Sequence, residues 1–255
     1  MGSSGCGKTT LISSLLGISK LDSGDIKLFG DTLDRCHSLR IGYMPQEAAM
    51  MENFTIKETI CFFGTIYGLK SKEIIERFQF LSEIFELPDE RKRIKDCSGG
   101  QQRRVSLAVA LMHEPEMLIL DEPTVGLDCH MRNTIWEFFT KLSIEQNVTI
   151  LLSTHYVEEA KRSNRVGFMR NGLMALEGSP QKILQSYKAS DMNEVFLRLC
   201  EDQEKNISNL MENHCEEFST TEARQVFNPP RKQKSSDVFR ALLMKCFLEI
   251  LKNFK

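Results

Sequence analysis

The sequence predicts an α/β fold, and three observations lead to that prediction. A glycine-rich loop at residues 2–10 is followed at once by a helical pattern. Apolar runs at 117–120 and 147–153 are typical of buried strands, and each ends in polar residues. The amphipathic helices between them complete the pattern. A chain of 255 residues is long enough for one large α/β domain, or for one domain with a subdomain.

Composition and charge exclude several classes of protein. Lys and Arg (33 residues) nearly balance Asp and Glu (35 residues), so the net charge does not indicate a nucleic-acid partner and we expect none. The eight cysteines form no C-x-x-C pair and no zinc spacing, which is typical of reduced cytosolic thiols. The sequence shows no secretory signal and no apolar run long enough to span a bilayer.

The first element is a loop that fits G-x-x-x-x-G-K-[ST], formed by Gly2, Ser3, Ser4, Gly5, Cys6, Gly7, Lys8, Thr9 and Thr10. In such a loop, backbone N–H groups surround phosphate oxygens, Lys8 reaches the outer phosphates and the Thr9 hydroxyl can bind Mg²⁺. The alternative is a Gly/Ser turn at a frayed terminus. The strand that normally precedes the loop is missing, which predicts an N-terminally truncated version of a longer domain.

The segment up to residue 95 alternates strands and helices. Two short apolar runs around Gly24 and Gly30 predict a β-meander, and residues 40–44 predict a strand. Gln46 follows that strand as it enters a loop, where active-site residues are common, although a solvated loop amide is the alternative.

Two amphipathic helices are predicted between residues 55 and 85, with Phe and Ile stripes that indicate core packing. Thr55 and Ser71 are the predicted N-caps, and Glu58 completes a capping box with Thr55. We expect the charged segment 88–95 to be a solvated loop.

Residues 97–128 contain two candidate functional motifs joined by one helix. A Ser-Gly-Gly turn at 98–100 opens the helix, so its free N–H groups and positive dipole end suit an anion. The strand 117–120 ends in Asp121 and Glu122, which suit a metal ion and a water molecule.

The following elements continue the pattern. Asp128 is a predicted N-cap for a helix that reaches residue 144. The strand 147–153 leads to His155, and a lone histidine is more often structural than functional. A hairpin is predicted around Asn171 and Gly172, followed by a short helix after Ser179.

In this order the motifs resemble the nucleotide-binding domain of ABC (ATP-binding cassette) transporters over about residues 1–190; the matching stretches are GSSGCGKTT, Gln46, CSGGQ, ILDEP, GLD and STH. The resemblance implies a P-loop NTPase (RecA-like) core with a parallel sheet, an antiparallel β subdomain and an inserted α-helical subdomain at about 47–112, without the first strands. Two departures are present: Cys97 stands where the family usually has Leu, and the aromatic residue that stacks on adenine would lie upstream of the loop.

The resemblance also implies cofactors and roles. The loop 2–10 would bind ATP, with Mg²⁺ held by Thr9, Asp121 and Gln46. Catalytic roles would fall to Glu122, which polarises the attacking water, to His155, which contacts the γ-phosphate, and to Gln46, which senses the metal and that phosphate. The signature residues would cap ATP bound to a second cassette, in a homodimer or heterodimer, with Asp128 in a loop of the dimer; they are Ser98, Gly99, Gly100 and Gln101.

Composition changes beyond residue 190. Residues 191–235 predict a helix and a polar linker, and 236–255 predict an interfacial helix that leads to a transmembrane domain outside the chain; a helix packing on protein is the alternative. This order, with QQRRVSLAVAL, TVGLD and STHYVEEA, resembles G/H-type half-transporters, closest to the arthropod H type. We therefore expect membrane association at the cytosolic face, with a transmembrane domain of the same or a partner polypeptide.

The function implied is Mg²⁺-dependent ATP hydrolysis that powers export. The alternatives are a non-catalytic, truncated ABC fragment and a soluble ABC ATPase that does not transport. We expect weak or no ATPase activity from this chain alone. Cys6 in the loop and Cys97 at a helix start lie in electropositive surroundings, which predicts lowered thiol pKa values; two inert small residues are the alternative.

Overall fold

The computed structural model describes residues 1–32 and 39–199, which divide into two compact units. The central unit contains residues 9–32 and 39–153. The terminal unit contains residues 1–8 and 154–199.

The central unit alternates helices and strands as the sequence predicts. Its elements are α1 (Lys8–Leu15, whose first residue belongs to the terminal unit), β1 (Lys27–Leu28), β2 (Asp31–Thr32), β3 (Ile41–Met44), α2 (Ile56–Ile66), α3 (Ser71–Phe85), a 3₁₀ turn (Ile94–Asp96), α4 (Gly99–Leu111), β4 (Met117–Asp121), α5 (Cys129–Glu145) and β5 (Thr149–Ser153).

The central unit is built on a parallel sheet with the strand order β3-β4-β5. Ile41 pairs with Met117 at the start of β3, and Met44 pairs with Leu120 at its end. A separate antiparallel hairpin joins β1 and β2. The predicted α/β class, with a parallel sheet and antiparallel strands, is therefore confirmed.

Both faces of the sheet are covered by apolar side chains. Leu118 and Leu120 of β4 lie in the large cluster that also contains residues of α2, α3, α4 and α5. Ile119, between them, packs with Ile12 of α1. Because successive strand residues point to opposite faces, this alternation buries a strand whose first four residues, 117–120, are all apolar.

Helix α4 approaches the sheet very closely at Gly42. A Cβ at this position would lie 2.2 Å from the carbonyl oxygen of Ala110 and 2.9 Å from Pro115. Only a residue without a side chain allows β3 and α4 to pack at this distance, so Gly42 fixes the seating of the helix that begins at the Ser-Gly-Gly turn.

An ion pair joins β3 and β4 at their amino ends. Arg40 donates through Nε and Nη2 to the two carboxylate oxygens of Glu116, at 2.7 and 2.6 Å, and its guanidinium lies 3.9 Å from the Phe29 ring centroid. The hydrogen bond from Arg40 lowers the pKa of Glu116 below its ordinary value. The Arg40 side chain is 39% exposed and that of Glu116 is 59% exposed, so solvent screening keeps the contribution of the pair to stability small.

The helices confirm one predicted cap and correct another. Thr55 caps α2, and its side chain and that of Glu58 form the predicted capping box. The N-cap of α3 is Lys70 rather than Ser71, which is the first helical residue. Glu73 accepts from the Lys70 backbone N–H at 2.7 Å and takes over the capping.

The segment 88–95 is not simply a solvated loop, so that prediction is wrong. Its backbone pairs with the start of α2: the N–H of Ile56 donates to Lys92, and the N–H of Ile94 donates to Phe54, at 3.0 and 2.9 Å. Ile94 is buried in the core. The buried Ile94 side chain and these backbone hydrogen bonds hold the charged segment against the start of α2.

The terminal unit contains α6 (Val157–Arg162), β6 (Val166–Arg170), β7 (Leu173–Gly178) and α7 (Pro180–Tyr187). The predicted hairpin is confirmed: Arg170 pairs with Leu173, and the two loop residues Asn171 and Gly172 both have positive φ angles (50° and 79°). Residues of these elements form a second apolar cluster.

The C-terminal predictions lie mostly outside the described residues. Residues 192–199 are helical, which agrees with the start of the helix predicted from 191. The rest of the predicted linker, from 200 to 235, and the interfacial helix at 236–255 are not among the described residues. Among the helices that are described, none has the length and apolarity to cross a membrane. The division into a cassette, a linker and a connecting helix remains a prediction.

Candidate functional site

The first residues of the predicted phosphate-binding loop are hydrogen-bonded to the hairpin within the terminal unit. The N–H of Met169 donates to Met1 and the N–H of Gly172 donates to Cys6, at 2.8 and 3.0 Å. A Cβ at Gly2 would lie 2.3 Å from the carbonyl oxygen of Met169, so a larger residue does not fit there. Gly5 and Gly7 have φ angles of 79° and 104°, a left-handed conformation that favours glycine.

The buried Lys8 ammonium is enclosed by its own loop. Its Nζ donates to the carbonyl oxygens of Gly2 and Ser3, at 2.8 and 3.0 Å, and the side chain is only 8% exposed. Ser3, Ser4, Gly5 and Thr10 are exposed. Lys8 therefore places a positive charge at the centre of a loop whose rim faces solvent, which suits an anion.

In the central unit, Asp121 at the end of β4 is buried and bonded by two hydroxyl groups. Its Oδ2 accepts from the Thr9 hydroxyl at 2.8 Å, and its Oδ1 accepts from the Ser153 hydroxyl. The side chain is 1% exposed. A buried carboxylate needs such partners because desolvation of a charge is costly. The strand end and the second residue of α1 thus meet.

Ser153 was not among the predicted site residues, although it links both acidic residues. Its hydroxyl donates to Asp121, while its hydroxyl and carbonyl oxygens accept from the Glu122 N–H at 3.0 and 3.2 Å. A signal was available: Ser153 is the polar last residue of an apolar strand, and β5 pairs with β4 in the sheet.

Glu122 has an unusual backbone. Its φ angle is 52°, in the left-handed region that residues other than glycine seldom adopt. Its N–H is bonded to Ser153, and its carbonyl oxygen accepts from Arg103 of α4. Strain of this kind persists only where surrounding contacts over-determine it, and it often marks functional positions.

Gln46 is exposed and shares a partner with Glu122. Nη2 of Arg103 donates to the carbonyl oxygen of Gln46 at 3.1 Å, and Nη1 donates to that of Glu122. The structure therefore brings the two residues to one guanidinium. Arg103 was also absent from the predicted site, and no local pattern distinguishes it from the neighbouring Arg104.

The signature residues begin helix α4 as the sequence predicts. The Ser98 hydroxyl accepts from the Gln101 N–H at 3.3 Å, and Gln101 Oε1 accepts from the Ser98 N–H and from Lys92 at 3.0 Å each. Gln101 is thereby engaged in its own chain. Ser98 and Gly99 are exposed, and a Cβ at Gly99 would meet nothing within 4 Å, whereas Gly100 packs against Gly126.

Asp128 and His155 are placed at helix starts. Asp128 is the N-cap of α5, where its carboxylate accepts from the Met131 N–H at 2.8 Å, and that hydrogen bond lowers its pKa. His155 is exposed in the terminal unit, just before α6, with its ring centroid 4.3 Å from that of Tyr156. The catalytic role of His155 and the dimer role of Asp128 remain predictions.

The prediction of a lowered thiol pKa is wrong for Cys97. The side chain is 7% exposed, and burial raises the pKa of its thiol. Its Sγ donates to the carbonyl oxygen of Arg93 at 3.4 Å. Cys6 is also buried.

The donor set at the end of β4 suits a magnesium ion bound together with a phosphate ligand. Mg²⁺ prefers oxygen ligands and often takes only one or two protein groups, keeping waters and substrate phosphates for the other positions. The Thr9 hydroxyl and the Asp121 carboxylate are such a pair, 2.8 Å apart. Over 1–32 and 39–199 there is no cluster of three or more His, Cys, Asp or Glu side chains that could hold a metal ion alone.

Comparisons with a family model, with curated proteins and with solved structures all point to the same family. A family model described as ABC transporter matches residues 1–125. ABC transporter G family member 23 of Dictyostelium discoideum is 40% identical over 209 residues, which is 80% of this chain and 30% of that protein. Nod factor export ATP-binding protein I of Rhizobium sp. (strain N33) is 35% identical over 201 residues, covering 77% of this chain and 66% of the relative.

The chain thus spans less than a third of the first relative and about two thirds of the second. Among solved structures, an ATP-binding subunit of an ABC transporter superposes with a TM-score of 0.71 at 25% identity, over 78% of this chain and 86% of that chain. A dimeric, post-hydrolysis ATP-binding cassette bound to ADP and Pi has the same fold, with a TM-score of 0.64 at 24% identity, over 70% and 83% of the two chains.

Proposed function

Because the chain belongs to the ABC transporter family, as an ATP-binding domain, we propose that it binds ATP with Mg²⁺ and hydrolyses it to power transport across a membrane. The observation that carries this proposal is the hydrogen bond between Thr9 and Asp121, 2.8 Å long. It joins the hydroxyl of the phosphate-loop motif to the carboxylate of the strand motif, two groups that lie 112 positions apart in the chain.

The proposed nucleotide site uses the loop 2–10 for phosphates. Lys8 would exchange its bonds to the Gly2 and Ser3 carbonyl oxygens for bonds to the outer phosphates, which are the stronger acceptors. The exposed rim of the loop supports access of the ligand. Mg²⁺ would be held by Thr9 and Asp121, with Gln46 as a further oxygen donor, and would neutralise charge on the phosphates when bound.

Glu122 is the proposed residue that orients and polarises the attacking water. Its fixed backbone supports this role, because catalysis of phosphoryl transfer depends mostly on positioning and charge stabilisation. His155 would contact the γ-phosphate, and Gln46 would respond to the metal and to that phosphate. These three roles come from the family motif and remain proposals.

A second cassette is the proposed partner. The exposure of Ser98 and Gly99 supports a role for the α4 start in capping ATP bound to another copy or to a related chain. A cassette of the same fold has been solved as a dimer. The engagement of Gln101 with Ser98 and Lys92 supports a role in shaping this turn, beside the proposed contact with the partner's nucleotide.

The wider role is also a proposal. The two Dictyostelium relatives carry G-family names, which supports the G part of the G/H-type prediction, and the arthropod H assignment stays a prediction. We propose a transmembrane domain, in the same or a partner polypeptide, and a position at the cytosolic face of the membrane. The relatives named as export ATP-binding proteins support transport over a soluble, non-transport ATPase.

Replacing Glu122 by Gln tests the proposal. In the longer polypeptide that also contains the proposed transmembrane domain, we expect E122Q to bind ATP with Mg²⁺ as the wild type does, to hydrolyse it at least about a hundredfold more slowly, and to form a dimer when ATP is present. Size-exclusion chromatography, nucleotide binding and phosphate release measure these outcomes. The matched control E137Q changes an exposed glutamate of α5 and should behave as the wild type.

Two results would contradict the proposal in different ways. A monomeric E122Q with ATP bound would argue against the composite dimer site. ATP binding by the wild type without turnover would favour the non-catalytic alternative.

A further inference from the structure

We propose that Arg103 is a positioning residue for the proposed ATP hydrolysis, because its guanidinium bridges the backbone carbonyl groups of Gln46 and Glu122. The inference rests on the proposed function of that site and adds to it a residue that none of the site motifs contains. Arg103 would touch neither nucleotide nor water. It would act by holding in place the two residues that do.

The register of the sheet explains why such a bridge is needed. The β3–β4 pairing ends with Met44 opposite Leu120. Gln46 and Glu122 each lie two residues beyond that pair, so they occupy equivalent positions past the end of the β3–β4 pairing. No hydrogen bond of the β3–β4 ladder holds them together there. The guanidinium supplies one N–H to each carbonyl group and joins the two chain segments beyond the end of the ladder.

The bridge also completes the restraint on the strained Glu122 backbone. Its N–H is bonded to Ser153 on one side, and its carbonyl oxygen is bonded to Arg103 on the other. With both ends of the residue held, the φ angle of 52° is kept although it is unfavourable for a residue with a side chain. Loss of the Arg103 bond would remove one restraint on the carbonyl group, which also accepts from the Val125 N–H at 3.5 Å, and would allow the residue to relax.

An arginine suits this role, and its support is rigid. The planar guanidinium offers several N–H groups in a fixed fork, whereas a lysine ammonium is a point donor on a flexible stem. Arg103 is half-buried on α4, and the residues that follow it from Val105 to Met112 are buried in the core. The same helix begins at Ser98, so one rigid element carries both the signature turn and the bridge.

The neighbouring arginine provides a matched control. Arg104 also donates to two backbone carbonyl groups, those of Phe85 and Glu86 at the end of α3, at 2.9 and 2.7 Å. It has the same chemistry, lies on the same helix and bonds to a region without any proposed site residue. A difference between the Arg103 and Arg104 variants would therefore be due to which carbonyl groups the arginine holds, and not simply to the loss of an arginine.

Hydrogen exchange of the full chain without nucleotide tests the bridge directly. We expect R103Q to increase exchange in peptides covering 46–50 and 122–127 while the rest of the central unit keeps its protection. R104Q should increase exchange around 85–88 instead. R103K should resemble R103Q in at least one of the two segments, since one ammonium cannot hold both carbonyl groups. Unchanged exchange at both segments in R103Q, a uniform rise over the whole unit, or wild-type exchange in R103K would overturn the proposal.

Steady-state ATP hydrolysis tests the functional consequence. We expect R103Q to lower kcat by about tenfold to a hundredfold with KM for ATP within about twofold of the wild type, because misplacement of a reacting group affects turnover more than binding. R104Q should leave kcat and KM unchanged. Equal kcat in R103Q and wild type would overturn the positioning role. Because we expect weak or no hydrolysis from this chain alone, the kinetic comparison uses the longer polypeptide with the proposed transmembrane domain. If that wild type fails to hydrolyse ATP, the proposed function fails, while the exchange experiment still decides whether Arg103 holds the two segments.

Discussion

Asp121 and Glu122 are adjacent carboxylates with different surroundings. Asp121 is the last residue of β4, so its side chain turns into the protein and meets the hydroxyl groups of Thr9 and Ser153. Glu122 leaves the strand in a left-handed conformation and is only partly buried. One residue is therefore suited to hold a metal ion and the next to act on a water molecule. The different surroundings of the two carboxylates follow from the position at which β4 ends.

Gly42 and Gly99 differ in the space around them, so we expect their replacement by alanine to change the stability by different amounts. We expect Gly42→Ala to lower the free energy of unfolding by about 1–3 kcal/mol or more, because the new methyl group would overlap the Ala110 carbonyl oxygen of α4. Gly99→Ala should change it by less than about 1 kcal/mol, since its surroundings are open. Urea unfolding of both variants measures the difference. Equal stabilities would contradict the close packing of β3 on α4.

Strands β3 and β4 have an arginine at each end of their pairing. Arg40 bonds to Glu116 where the pairing begins, and Arg103 bonds to the chain beyond the point where it ends. Backbone hydrogen bonds hold the strands between these points. The positions of Gln46 and Glu122 therefore depend on the sheet register as well as on their own loops.

In the terminal unit, α6 is tied to the start of the helical segment 192–199 by an ion pair. Lys161 lies 2.8 Å from Asp191, and the hydrogen bonds from Lys161 and Asn193 lower the pKa of Asp191 to about 2. A carboxylate whose pKa is lower in the folded state stabilises the fold above its unfolded pKa. That contribution is lost as the pH falls through the folded value.

We therefore expect Asp191→Asn to destabilise the protein at pH 6 and to have a diminishing effect between about pH 4 and pH 2. Thermal unfolding at several pH values measures this dependence. Because Lys161 is the largest cause of the shift, D191N should have a smaller effect in a K161Q background, where the hydrogen bonds from Asn193 and the Met192 N–H remain. A pH-independent difference between D191N and the wild type would contradict the ion pair as the source.

The whole chain combines the proposed nucleotide chemistry with a near-neutral charge. Its net charge of −2 offers no strong field to attract a polyanion, so recognition of ATP would depend on local charges such as that of Lys8. Ligands that bind only the folded state stabilise it in proportion to the logarithm of their concentration.

We expect saturating ATP with Mg²⁺ to stabilise the whole chain by about 2–3 kcal/mol at a hundred times Kd, seen as a higher unfolding midpoint in differential scanning fluorimetry. ATP with EDTA should stabilise it less. Asp121→Asn should abolish the difference between the two conditions, since the metal would lose its carboxylate. An unfolding midpoint of the wild type that is the same with and without ATP would contradict nucleotide binding.

The motifs, most strand and helix positions, the Thr55 capping box and the Asn171–Gly172 hairpin were predictable, because each depends on residues only a few positions apart. Those signals sufficed to predict the α/β class, which is confirmed, and to select Thr9, Asp121 and Glu122 as candidate site residues, whose roles remain predictions. The cap of α3 was misplaced by one residue: Ser71 is the first helical residue, and Glu73 accepts from the backbone N–H of Lys70, the N-cap.

Tertiary structure alone decided the contacts that hold the site together. Arg103 is 19 positions from Glu122 and 57 from Gln46, and Ser153 is 32 from Asp121. The order β3-β4-β5 brings Gln46, Asp121, Glu122 and Ser153 to the carboxyl end of the sheet, and the packing of α4 adds Arg103. No local pattern encodes this arrangement. The docking of segment 88–95 and the burial of Cys97 have the same origin. Local sequence chooses the chemical groups, whereas packing of distant segments sets their partners and orientation.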